Sequence, residues 1–91
     1  MNNGILVKYK GGLSKLIQRD EEWIDYEANL SLAGLLLHIF KLHRIADTGR
    51  MIDKQSVLLI LNDQFVPSFE ADGMMLSQGD VVTLLPTISG G

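Results

Sequence analysis

Residues 31–43, SLAGLLLHIFKLH, decide the fold. Leu32, Leu35, Leu36, Ile39, Phe40 and His43 recur at three- and four-residue intervals, which places them along one face of a helix. Ser31 stands where a hydroxyl can accept an orphan backbone N–H, so it is the expected N-cap. Lys41, His43 and Arg44 suit the C-terminal end, where the macrodipole favours positive charge, and the spacing predicts a helix running to about Arg44 or Ala46. Gly34 weakens such a helix by up to ~1 kcal/mol relative to alanine. Its apolar stripe must therefore be held by tertiary packing.

What flanks the helix supplies the surface it packs on. Upstream, residues 5–9 (ILVKY) put Ile5, Val7 and Tyr9 on one face with the two-residue period of a strand, and Gly11-Gly12 breaks it. Leu13, Leu16 and Ile17 fit a helical turn as well as a strand. The stretch EEWIDYEAN, residues 21–29, alternates Trp23, Asp25 and Glu27 against Ile24, Tyr26 and Ala28 and reads as a second strand with one wet face, paired to the first as a hairpin. Downstream, residues 47–56 are a polar connection. VLLILN, residues 57–62, then reads as a central strand buried on both faces. Asn62-Asp63 turns the chain, Phe65 and Val66 make a brief return strand that Pro67 ends, and residues 68–76 read as irregular. SQGD is a turn into the last strand, whose Val82 and Leu84 are expected in the core and Val81, Thr83 and Leu85 on the other face. One helix among these strands must cover one sheet. The order strand, strand, helix, strand, short strand, strand is that of an α+β, β-grasp (ubiquitin-like) domain with a mixed four- to five-stranded sheet.

Composition narrows the function. Ninety-one residues, 46% hydrophobic and 21% charged, describe one globular domain able to fold without staples but too small for a deep cleft between lobes. The absence of cysteine excludes a disulfide framework, a thiolate metal site and a cysteine nucleophile. A net charge of −3 gives no general attraction to nucleic acid or anionic lipid. The start, MNNGILVKYKGG, lacks a basic region followed by an apolar core, and LSLAGLLLHIF is short of the ~18 apolar residues of a membrane span, so a cytoplasmic location is expected. Charge is segregated: Lys8, Lys10, Lys15 and Arg19 precede Asp20, Glu21, Glu22, Asp25 and Glu27, then Lys41, Arg44, Arg50 and Lys54, and only acidic residues follow in the last third. A partner of that last third should present a basic surface.

The last sixteen residues, LSQGDVVTLLPTISGG, hold the functional signal. Leu76, two residues, Gly79-Asp80, a hydrophobic strand, Pro86, a branched residue at Ile88 and Gly90-Gly91 closely resemble the ending of the MoaD/ThiS family of β-grasp sulfur carriers. ILNDQFV (60–66) and SLAGLLLHI (31–39) resemble two further family segments, so the likeness spans about two-thirds of the chain. The first 29 residues lack the opening usual for the small subunit of molybdopterin synthase, and Thr87 replaces the usual second proline. The segment between Val66 and Leu76 is also longer than in the family.

The resemblance implies a β-grasp domain over residues 1–86 and a flexible tail over 87–91. A carboxylate cannot accept sulfide directly because its oxygen is a poor leaving group. An E1-like adenylating enzyme of the MoeB/ThiF type replaces that oxygen with AMP using ATP, and sulfur then yields a thiocarboxylate at Gly91. Gly91 is thus the adenylation and thiocarboxylation site, Ile88, Ser89 and Gly90 belong to the tail, and the chain is carrier rather than enzyme. No cofactor is implied on the chain itself. Glycine lets the tail enter a narrow tunnel, and residues 87–91 reach about 17 Å when extended. Phe65, Leu85 and Pro86 are the implied partner-binding residues, and a MoaE-like large subunit or another sulfur acceptor is the implied recipient. Carriers for thiamine, cysteine or tRNA thiolation, protein modifiers that form isopeptide bonds, and a plain binding module are the alternatives.

Other residues have plainer readings. Gly79-Asp80 is a structural turn. His38 and His43, five apart, do not stack as a metal pair and read as surface or boundary residues. Asp25 and Glu27 read as the solvated face of the hairpin. Trp23 shares their period, so either a bulge shifts the register or Trp23 is a contact residue.

Overall fold

The structure is a computed structural model that describes residues 4–44 and 57–86. The polar connection, Ala46 and the tail residues Ile88, Ser89, Gly90 and Gly91 lie outside the described residues. The chain runs β1 (Gly4–Tyr9), α1 (Gly12–Ile17), β2 (Glu21–Asp25), α2 (Leu32–Leu42), β3 (Val57–Leu61), β4 (Gln64–Val66), a 3₁₀ segment (Ser68–Gly73) and β5 (Val81–Pro86). The five strands form one mixed sheet in the order β2-β1-β5-β3-β4, with β1 and β5 parallel and the other pairs antiparallel. This is the β-grasp arrangement.

Alternation decides what enters the core. Ile5, Val7 and Tyr9 of β1, Ile24 of β2, Val57 and Leu59 of β3, Val66 of β4 and Val82 and Leu84 of β5 are buried beneath Leu32, Leu35, Leu36 and Ile39 of α2. Leu13 and Ile17 of α1 join this core while Leu16 stays exposed, so the ambiguous stretch after Gly11-Gly12 resolves as a short helix.

Four expectations need correction. β3 is second from the edge, not central, and only Val57 and Leu59 are buried, because helix covers one side of the sheet and leaves Leu58 and Ile60 half-exposed on the other. The central place belongs to β5. β2 ends at Asp25, so Glu27 and Ala28 lie beyond the strand, and Asn29 turns the chain at φ 67°. α2 ends at Leu42, because Arg44 adopts a left-handed backbone at φ 56° that reverses direction. Residues 68–73 are a 3₁₀ helix rather than irregular chain, and Ala71 and Leu76 on this return path are buried.

That return path also completes the start of α2. Leu32 N–H donates to the Met74 carbonyl at 2.8 Å, Leu76 N–H donates to the Leu30 carbonyl at 2.9 Å, and Gly34 N–H donates to Ser31 Oγ at 3.0 Å. Two otherwise orphaned helix donors are thereby paired. Substituting Ser31→Ala is expected to lower stability by about 1 kcal/mol, read as a fall in the denaturant midpoint at unchanged slope.

Candidate functional site: the outer sheet face and the root of the tail

β5 leads towards the tail, and five pairings hold its two ends in the sheet. Asn62 and Asp63 occupy a two-residue hairpin turn between β3 and β4, both at positive φ (50° and 70°), as such primed turns require. Asn62 Nδ2 donates to Asp80 Oδ1 at 3.0 Å, and Val81 N–H donates to Asn62 Oδ1 at 2.9 Å. Asp80 Oδ2 accepts from Ser77 N–H at 2.7 Å, closing the turn in which Gly79 takes φ 88°. Asn62 and Asp80, eighteen residues apart, thus clamp the start of β5 to the neighbouring hairpin. At the far end, Lys10 N–H donates to the Leu84 carbonyl at 3.1 Å and Pro86 pairs with Val57. Residues 87–91 therefore start from a strand held on both sides.

The helix-free face of the sheet is apolar around this root. In register, Leu85 lies opposite Leu58, and Thr83 opposite Ile60, which in turn faces Phe65. Phe65 is 60% exposed and Leu85 36%, whereas Pro86 is half-buried. Phe65 and Leu85 thus share one face, bridged by Leu58 and Ile60 of β3. On the same face at the other edge stands Trp23, 46% exposed and opposite Leu6 in an unbroken register, so no bulge turns it inward.

A polar cluster not anticipated from the sequence sits under the opposite edge. The Tyr9 hydroxyl and His43 Nε2 both bond the Oε2 oxygen of Glu22, and Arg19 Nη1 reaches Oε1 at 3.0 Å. The Glu22 side chain is only 9% exposed. Burial acts to raise its pKa, but the hydrogen bonds from Tyr9 and His43, with the charges of His43 and Arg19, outweigh that and hold the carboxyl below the usual glutamate range. Burial first, and the neighbouring carboxylate second, push the Tyr9 hydroxyl far above the usual tyrosine range. The cluster ties α2 to β1 and β2. With both carboxylate oxygens engaged by neighbours, it reads as a brace. Two signals could have found it: Glu22 falls in the inward phase of its strand with Ile24, and His43 falls on the apolar stripe of the helix.

Because Glu22 has its pKa lowered by folding, its contribution to stability is fully present above the unfolded value of about 4.5 and is lost as pH falls through the lower folded value. The stability gap between the wild type and Glu22→Gln is therefore expected to close as the solution is made more acidic than about pH 4.5. Thermal unfolding followed across that range checks this; a gap that persists at the acid end contradicts it. His38, by contrast, is exposed on α2, and Asp25 and Glu27 are exposed beside it.

A family model matches residues 7–91, reaching through the glycine pair, and it is that of the ThiS family. This chain belongs to the ThiS family. It is thus one of the ubiquitin-like sulfur carriers. Among solved structures, a Pyrococcus furiosus protein assigned as molybdopterin converting factor, subunit 1, superposes with a TM-score of 0.73 at 27% identity, covering 92% of this chain and 97% of that one. SAMP1 from Haloferax volcanii gives a TM-score of 0.76 at 16% identity, covering 97% and 99%. A chain of the Helicobacter pylori complex between subunits 1 and 2 of molybdopterin-converting factor gives 0.60 at 23% identity, covering 96% and 97%. The last two speak to the fold. Curated protein sequences return no match. Among the described residues, no helix is long and apolar enough to cross a membrane.

Proposed function

We propose that this chain carries sulfur as a thiocarboxylate at Gly91 and delivers it as the small subunit of a molybdopterin synthase, in molybdenum or tungsten cofactor synthesis. The observation that carries the reading is the ThiS-family match through residue 91, and the likeness to the P. furiosus subunit directs it to this pathway. The Gly91 carboxylate attacks the α-phosphorus of ATP held by an E1-like adenylating enzyme, releasing pyrophosphate and leaving an acyl adenylate. Sulfide, or a sulfide equivalent on that enzyme's side, then attacks the acyl carbon and expels AMP, leaving –C(O)S⁻. The chain is co-substrate throughout: ATP is consumed by the activating enzyme, and catalytic groups for sulfur insertion come from a MoaE-like large subunit. The structure of H. pylori subunits 1 and 2 in complex supports a partner of that kind.

The exposed Phe65–Leu85 face is the docking surface in this reading. It lies beside Pro86, so a partner seated there receives the tail directly, and the rigid anchoring of β5 limits where the carboxylate can reach. The cytoplasm, where ATP-dependent activation takes place, is the corresponding location. Expression in a strain lacking the small subunit of its own molybdopterin synthase tests the pathway. Restored molybdenum-enzyme activity is expected; failure there, with rescue of a strain deficient in thiazole or tRNA-thiolation sulfur transfer, would assign the carrier to another acceptor.

A further inference from the structure

We propose that the open edge of β2, together with the groove between it and α2, takes up an extended peptide in which aliphatic residues alternate with lysine or arginine, added to the sheet as a sixth strand. Strand order leaves β2 at the edge, and among the described residues it pairs with β1 alone. The bond from Tyr9 N–H to the Asp20 carbonyl at 2.7 Å fixes the phase of that ladder. Tyr9/Asp20, Val7/Glu22 and Ile5/Ile24 are then the hydrogen-bonded pairs, so the backbone N–H and C=O groups of Glu21, Trp23 and Asp25 point out of the sheet. An added strand would find three residues' worth of donors and acceptors already aligned.

Beside this edge are two adjoining hollows of about 170 and 270 Å³ that share Ile24, Asp25, Glu27 and His38. Each is below the ~300 Å³ at which small-molecule pockets begin, and suits a single side chain. Their helix wall is Gly34, His38 and Leu42, every fourth residue of α2, and the missing side chain at Gly34 keeps one end open. A charged edge alone is a common guard against unwanted pairing. Here, however, Trp23 (46% exposed) and Leu42 (51% exposed) add apolar surface that a guard does not need.

Charge selects the occupant. Glu21, Asp25 and Glu27 are exposed along the edge and groove, while the nearby Arg19 is engaged with Glu22. A second copy of this chain fits badly: two-fold antiparallel pairing centred on Trp23 would set Glu21 directly opposite Asp25, and like charges so placed repel. A basic partner strand meets the opposite situation. The site also stands at the other edge of the sheet from Phe65 on β4, four strand spacings or about 19 Å away, so a peptide bound here leaves the Phe65–Leu85 face free.

The test is a titration of the full-length, ¹⁵N-labelled chain with a nine-residue peptide alternating valine and lysine. Amide resonances of Trp23, Asp25, Gly34 and His38 are expected to shift and those of Phe65 and Leu85 to stay. The same peptide N-methylated on the amides of one edge should bind at least tenfold more weakly. The double variant Asp25→Lys/Glu27→Lys, altered only at exposed positions, should lose the lysine peptide by at least tenfold and accept a valine–glutamate one. No shift up to millimolar peptide, shifts centred on Phe65 and Leu85, or equal binding of the N-methylated peptide would each overturn the proposal. Concentration-dependent shifts at Trp23 and Asp25 without peptide would overturn it too, assigning the edge to a second copy.

Discussion

Deleting Gly91 is expected to abolish activation while leaving the domain folded. Removing one residue withdraws the terminal carboxylate by about 3.4 Å. Misplacement of a reacting group by even about 1 Å can cost 100-fold, so adenylation should fall by at least that factor. The last strand ends at Pro86, five residues earlier, and among the described residues the fastenings of β5 lie at or before that point. Thermal stability should therefore not change. Pyrophosphate release in the presence of an E1-like enzyme and ATP is the measurement; an unchanged rate would mean that activation does not occur at this carboxylate. A Gly91→Ala variant keeps the length and adds one methyl group, so it separates reach from the narrowness of the enzyme's channel.

The second large effect comes from two neighbours with opposite roles. Leu84 is 1% exposed in the central strand, packed under α2, and Leu84→Ala is expected to cost about 2–5 kcal/mol. For a domain of this length the total stability is about 5–14 kcal/mol, so the melting temperature should drop by about 10 °C or more. Leu85 points to the other side of the same strand and is 36% exposed. Leu85→Asp should cost less, about 1–2 kcal/mol, because a third of that side chain already meets solvent. It should also weaken binding to the adenylating enzyme at least tenfold, because a carboxylate is placed in the patch formed with Phe65 and Leu58. Calorimetric melting and a binding titration on both variants check the pair. Equal loss of melting temperature in the two would show that Leu85 is structural, and unimpaired binding by Leu85→Asp would remove the patch from the docking surface.

That contrast is legible in the sequence alone, because the two-residue period of a strand is a local property: Val82 and Leu84 against Val81, Thr83 and Leu85, like Ile5, Val7 and Tyr9, sort by position. The helical stripe and the Ser31 cap are legible for the same reason. Strand order is not. Nothing local says that β5 inserts between β1 and β3, and an apolar run such as β3 suggests a central strand; this run is apolar because one face meets the core and the other forms the Leu58–Ile60 part of the exposed patch. The 3₁₀ segment leaves no local signature because its order comes from contacts with the start of α2, about forty residues away in sequence, as in the Ser31–Met75 bridge. The Tyr9–Glu22–His43 brace joins residues 13 and 21 positions apart; the inward phase of each is a local signal, but their meeting is not. The Gly79-Asp80 turn is structural, as its residue types suggest, but its partner, Asn62, becomes visible only when the hairpin and the last strand lie side by side.

The intact mass of the chain, with its C-terminus untagged, measured before and after incubation with an E1-like adenylating enzyme, ATP and a sulfur donor, tests the carrier reading most directly. The predicted result is a gain equal to the exchange of one oxygen for one sulfur, mapped to Gly91 and absent from the chain lacking that residue. An unchanged mass under conditions in which the enzyme thiocarboxylates its own carrier would contradict the account, and a gain that appears only as an isopeptide bond to a lysine would make the chain a modifier instead of a sulfur donor.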